Sequence, residues 1–311
     1  MKLRLFFAVL AIAANALFGA DQELLKLIPA DAEFVAGIHA GQIRNSRFGQ
    51  FLLDQIKSDD KNMEQFISMS GFDPRRDLDE MIVVAPGTLG AKRTLVAARG
   101  RFDQQKIQSF ARTAANQTLT HNGVSLFAGD KANQGALAVL DGRTAVAGDM
   151  ETVKAAIDRF KAGGVTSAEP KLLNRIAELS NRYDAWMISG SLARLAGDFR
   201  SPQVGGAMNN FTQAMDSVFG GVRFGPNVEV AAEATMRSDK DATAMVDVMK
   251  FIAGMIQLGS KDDKRAAEFS GLLDKMEVKA SGTQFRMTLQ IPEEMLEGML
   301  KPVAVRKKPA I

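Results

Sequence analysis

Cysteine is absent from the 311 residues, and the chain holds only two histidines, one tyrosine and one tryptophan. Without thiols there is no disulfide, no cysteine nucleophile, no iron–sulfur ligation and no thiol–disulfide exchange. A transition-metal site needs several imidazole or thiolate ligands converging, and His39 and His121 are the whole supply. Both lie in or beside expected strands and read as structural histidines. Tyr183 and Trp186 cannot together build the aromatic platform used for carbohydrate or single-stranded nucleic acid. A charge excess of one sign is missing as well. Of the 39 Lys+Arg set against 36 Asp+Glu, Lys2 and Arg4 sit at one end and Lys301, Arg306, Lys307 and Lys308 at the other, so the body is slightly acidic. That balance gives no general attraction to nucleic acid. No Gly-x-Ser-x-Gly elbow, phosphate loop or dinucleotide fingerprint occurs. The residues therefore define no catalytic, cofactor-binding or metal-ligating set, and no cofactor is expected.

The first twenty residues are the most informative segment. Lys2 and Arg4 precede an apolar run from Leu5 to Ala13, followed by small residues at Ala14-Asn15-Ala16 and Gly19-Ala20. This is the layout of a secretory signal peptide over residues 1–20, and it places the protein in the periplasm or outside the cell. Cutting after Ala16 puts small side chains at both positions read by the peptidase, whereas cutting after Ala20 puts Phe18 at one of them. The mature start falls between Asn15 and Asp21. The apolar stretch from Leu5 to Phe18 is shorter than the roughly 20 residues a bilayer requires, and no cysteine follows it to take a lipid. No transmembrane span is expected once the leader is removed.

Beyond the leader, periodicity and turn chemistry predict an α+β fold. A short helix from Glu23 to Ile28 stops at Pro29, a strand runs from Glu33 to His39, and Ser46 caps a helix through Ile56. A helix over Lys61–Ser70, strands over Met81–Ala85 and Thr94–Ala98, and a helix capped by Asp103 follow. Asn122-Gly123 and Asp141-Gly142 predict tight hairpins, and a helix over Met150–Ala162 ends at Gly163-Gly164. The order then repeats: a strand over Ala185–Ser189, a helix around Val204–Met215, strands over Ser217–Phe224 and Val228–Met236, a long helix to Leu258, a hairpin at Ser281-Gly282, and a helix from Pro292 to Leu300. The expectation is an internal duplication. Two similar halves, residues 21–165 and 166–300, would each be an antiparallel sheet with helices packed on one face, the first with an extra hairpin. A helix at residues 172–179 bridges them, and residues 301–311 form a disordered basic tail.

Pro29-Ala30-Asp31-Ala32 before an apolar strand, the helix bearing Ser46-Arg47-Phe48-Gly49, and Gly71-Phe72-Asp73-Pro74 with Asp77-Leu78-Asp79 form a group of short motifs within residues 24–100. On these the chain resembles a class of uncharacterised exported bacterial proteins. The resemblance implies an exported α+β protein and transfers no activity or site residue.

Four local patterns invite chemistry. Asp73, Asp77, Asp79 and Glu80 crowd one stretch, but calcium needs six to eight oxygens, the loop order is wrong, and Arg75 and Arg76 lie among the acids. A solvated, internally paired turn is expected. Asp262-Asp263, flanked by Lys261 and Lys264, reads the same way. Ser58-x-x-Lys61 imitates the Ser-x-x-Lys of penicillin-recognising enzymes, yet Ser-Asp-Asn is absent and Lys161-Ala162-Gly163 only imitates Lys-Thr-Gly. Methionine is concentrated in the second half. Met245, Met249, Ile252, Met255 and Ile256 lie with Val248 along one face of the long helix, which fits core packing or an apolar groove for a peptide or lipid.

These readings point to a non-enzymatic exported envelope protein acting as a binding or assembly module. Its partner would be an unidentified envelope protein or an apolar ligand, and not nucleic acid. An exported hydrolase using serine or carboxylates, and a periplasmic carrier of an apolar ligand, are the alternatives.

Overall fold

A computed structural model describes residues 19–55, 61–87, 93–114, 117–129, 135–163, 166–190, 214–259 and 270–300. The leader through residue 18, Ser58 of the Ser-x-x-Lys pattern, residues 204–213 of the helix expected to end at Met215, the acidic pair Asp262-Asp263 and the tail from 301 lie outside the described residues; Met215 itself opens a strand, because it continues the extended run that follows it.

The first part of the chain runs α1 (Gln22–Leu25), β1 (Phe34–Ile38), α2 (Ala40–Asn45), α3 (Arg47–Gln55), α4 (Lys61–Ser70), α5 (Pro74–Asp77), β2 (Leu78–Ala85), β3 (Leu95–Gly100) and α6 (Gln104–Ala114). It continues β4 (Gln117–His121), β5 (Val124–Ala128), β6 (Ala136–Val139), β7 (Thr144–Gly148), α7 (Met150–Ala162) and α8 (Pro170–Arg182). Then come β8 (Ala185–Ser189), β9 (Met215–Arg223), β10 (Asn227–Met236), α9 (Asp239–Gly259), β11 (Glu277–Ser281), β12 (Gln284–Pro292) and α10 (Glu293–Leu300).

Local chemistry sets many of these boundaries. Asp149 caps α7 by accepting from Thr152 N at 3.0 Å, and Gly163 ends it in the left-handed conformation at φ 60°, as αL caps require. Ser46 Oγ accepts from Gly49 N at 2.9 Å at the start of α3. At the tip of the β4–β5 hairpin, Asn122 and Gly123 both take positive φ, the geometry for which that pair is selected.

All twelve strands form one antiparallel sheet in the order β11-β12-β10-β9-β8-β1-β2-β3-β7-β6-β5-β4. The α+β class and antiparallel pairing are thus as the sequence predicts, but the strands of both halves share one sheet. β1 and β8 meet edge to edge, with Val35 opposite Ile188 and Gly37 opposite Trp186. From that seam the order reads β1-β2-β3-β7-β6 on one side and β8-β9-β10-β12-β11 on the other, with β5-β4 extending the first side.

Helices cover both faces of this sheet, where the sequence reading placed them on one. On one face α1, α7 and α8 bury Leu24, Val153, Ile157, Ile176 and Leu179 against Val35, Ile82, Val84, Ala97, Val146, Trp186, Ile188 and Phe219. On the other, α4 and α6 pack Phe66 and Ile107 against Leu137, Val139 and Ala145, and α9 packs Ala242 and Met245 against Ala234, Met236 and Phe285. Strand alternation explains this. Ala138 and Val146 point one way while Val139 and Ala145 point the other, and all four are apolar, so both surfaces must be covered.

Candidate functional site

The face carrying α1, α7 and α8 has no helix over its far end, among the described residues. Along β12, Phe285 and Met287 turn toward α9, so the alternate residues Arg286, Thr288 and Gln290 point to the opposite side. Register places Glu229 opposite Gln290 and Glu233 opposite Arg286, and Thr288 opposite Glu277 and Arg286 opposite Lys279. All of these register partners except Glu233, with Arg182 from the end of α8 and Lys275 before β11, line an open cleft of about 490 Å³. Four cations, Arg182, Lys275, Lys279 and Arg286, face two carboxylates, Glu229 and Glu277.

The cleft floor is a lattice of ion pairs. Glu229 takes Arg223 at 2.6 Å and Arg182 at 3.5 Å. Glu233 takes Arg182 and Arg286, each at 3.6 Å, and burial nevertheless holds its carboxyl above the ordinary range. Lys279 reaches Glu277 at 2.8 Å, while Lys275 has no ion-pair partner among the described residues. The acids are shared among arginines, so the surplus positive charge faces solvent. Such a surface can hold an anionic group.

A second cleft, of about 610 Å³, lies between α2–α3 and the β9–β10 turn, and includes Asp184, Phe224 and Glu293. Its acids serve the backbone: Phe224 N donates to Asp184 Oδ2 at 2.6 Å, and Phe48 N to Glu293 Oε1 at 3.1 Å.

The structure also brings together residues that the sequence reading kept apart. His39 and Glu80 are both buried, with His39 Nδ1 3.8 Å from Glu80 Oε2. His39 Nε2 lies 3.0 Å from the Ser180 carbonyl, which only accepts, so Nε2 carries the proton and Nδ1 turns a lone pair toward Glu80. Asp21 N donates to Glu80 Oε2 at 2.9 Å, and Glu80 Oε1 is buried without a partner. Burial pushes the Glu80 carboxyl up to about 8. Burial also lowers His39, outweighing the Ser180 carbonyl and Asp184. Both groups are therefore uncharged near neutral pH, as expected where a charge cannot be solvated. Neither residue lines either cleft, so the pair is a packing element with no substrate path through those clefts.

Glu80 thus departs from the solvated acidic turn in which the sequence reading placed it. The signal was present: Glu80 shares its alternation with buried Ile82 and Val84, and His39 shares its own with Val35 and Gly37. The remaining acids of the turn are paired: Arg75 with Asp73 at 2.9 Å, Arg76 and Arg101 with Asp77 at 2.6 and 3.1 Å, and Arg143 with Asp79 at 3.2 Å. Asp77 is buried rather than solvated, and these arginines hold the Asp73 and Asp77 carboxyls below their usual range.

His121 meets Asp158 at 2.7 Å, and no cluster of three or more potential metal-ligating side chains occurs among the described residues. Tyr183 and Trp186 are both core residues. Along α9, Met245 is buried, Met249 packs beside it, Ile252 is half-buried and Met255 is exposed. The Ile256 side chain lies outside the described residues. Neither cleft is lined by α9. No helix among the described residues is long and apolar enough to cross a membrane.

No family model matches the chain, and no curated protein matches it. Among solved structures it is similar to crystal form I of TP0453, with a TM-score of 0.46 and 7% identity over 89% of this chain and 95% of that one.

Proposed function

We propose that this protein is an exported, non-enzymatic binding module of the cell envelope, and that it presents the open charged face of β10, β12 and β11 to an acidic protein partner. The observation carrying this reading is the contrast along one sheet face. Under α7 that face is apolar and buried, whereas at β12 and β11 it turns to Arg286, Thr288, Gln290, Glu277 and Lys279. A surface of paired acids with a residual positive charge favours specificity and fast association with a complementary anionic surface. The basic end followed by an apolar run supports export, and the mirrored strand order about the β1–β8 seam supports reading the halves as an internal duplication.

The test is affinity capture from envelope extract with two baits, the wild-type protein and its K275E/K279E variant. Both lysines are exposed, so the fold survives reversal. The reading expects an acidic protein retained by the wild type, released by moderate salt and lost with the variant. Equal retention by both baits, or no retained protein, contradicts it.

A further inference from the structure

Export leaves open where the mature chain begins, and the packing of Gly19, Ala20 and Asp21 bears on it. Ala20 is 2% exposed and belongs to the core that includes Leu24 and Leu27. A Cβ on Gly19 would come within 2.3 Å of the Ser180 and Asn181 backbone, a distance at which only glycine fits. Asp21 then fastens the segment from three directions. Its amide donates to Glu80, its Oδ1 caps α1 by accepting from Glu23 N at 2.8 Å, and its Oδ2 accepts from Arg99 Nε at 3.1 Å. Arg99 is itself held by Thr144 Oγ1 at 2.6 Å.

A chain beginning at Asp21 would lose the two residues that fill this space. A chain beginning upstream keeps them. We infer that Gly19 and Ala20 are retained in the mature protein as a plug against α8, with export processing upstream of Gly19, at the bond after Ala16 in Ala14-Asn15-Ala16. Small side chains at Ala14 and Ala16 suit the peptidase, and Phe18 disfavours a cut after Ala20, so packing and cleavage chemistry agree from independent residues. The inference rests on the export reading.

The deciding experiment expresses the full chain with its own leader in an exporting bacterium and determines the intact mass and N-terminal sequence of the exported product. A start at Leu17 is expected, and any start upstream of Ala20 that keeps Gly19 preserves the plug. A start at Asp21 overturns this inference while leaving export intact. An unprocessed chain starting at Met1 overturns the export reading itself. A second measurement is independent of export: chains released by a tag protease to start at Leu17 or at Asp21 are melted side by side. The longer chain should melt about 5 °C higher, and the Gly19→Val variant should lose a similar margin. Equal melting of the two chains would show that the plug contributes nothing.

Discussion

Gly37 lies directly beneath Trp186 across the β1–β8 seam: the two are register partners, and a Cβ on Gly37 would come within 2.4 Å of the indole ring. This contact sits where the strands of the two halves join, in the centre of a continuous core. Replacing Gly37 with alanine forces the ring or the strand to move, and overpacking of this kind costs about 1–3 kcal/mol. Chemical denaturation should show that loss. Trp186 is the sole tryptophan and is buried, so its emission should report the loosening of the seam directly.

The neutral His39–Glu80 pair makes stability depend on pH in a defined direction. Glu80 titrates near 8 in the folded protein against an ordinary 4.5, so its contribution is fully present below 4.5 and is lost as pH rises toward 8. His39, lowered from 6.5, acts oppositely. Its contribution is present above 6.5 and is lost as pH falls through its folded value. Asp21 and Arg99 also face Glu80: the Asp21 amide lowers its carboxyl by donating to it, the Asp21 carboxylate raises it, and Arg99 lowers it. Between pH 6.5 and 8 Glu80 dominates, and the wild type should lose about 2 kcal/mol of unfolding free energy. In Glu80→Gln the amide oxygen can still accept from Asp21 N, and the side chain no longer ionises. Urea titrations across this range should find the slope abolished in the variant.

The methionines of α9 should divide into two energetic classes. Met245 is 4% exposed within the cluster beneath the helix, and Met255 is 51% exposed. Met245→Ala should cost about 2–5 kcal/mol, whereas Met255→Ala should stay within about 0.5 kcal/mol. Paired denaturation curves check this. A large loss at Met255 would mean that it is covered in solution.

The K275E/K279E variant should fold with a stability within about 0.5 kcal/mol of the wild type, because both side chains are exposed. Thermal melts establish this before any binding measurement is interpreted.

Sequence made the local elements legible where chemistry is local. The bounds of α4, α7 and β8, the hairpins at Asn122-Gly123 and Asp141-Gly142, and the Asp103 and Ser46 caps follow from side chains acting on neighbouring backbone. Helix α2 escaped notice because Ala40–Asn45 has no apolar stripe and buries none of its residues. The union of β1 with β8 joins strands about 150 positions apart, and strand pattern does not encode partner identity. The charged cleft was hidden for the same reason. Glu229, Lys279 and Arg286 look like ordinary polar positions until register aligns them on one face that no helix covers among the described residues. Glu80 was recoverable from alternation, but its carboxylate neighbours in sequence drew it into the wrong group.

The central claim, that the open face of β12 and β11 is where a partner binds, is tested most directly by photo-crosslinking in living cells. A photoreactive residue replaces Thr288 within the cleft or, in a separate strain, the exposed Thr243 on α9. The account predicts an adduct with an acidic envelope protein from position 288, abolished by K275E/K279E, and none from position 243. An adduct from 243 alone, an adduct from 288 indifferent to charge reversal, or no adduct from either site would contradict it.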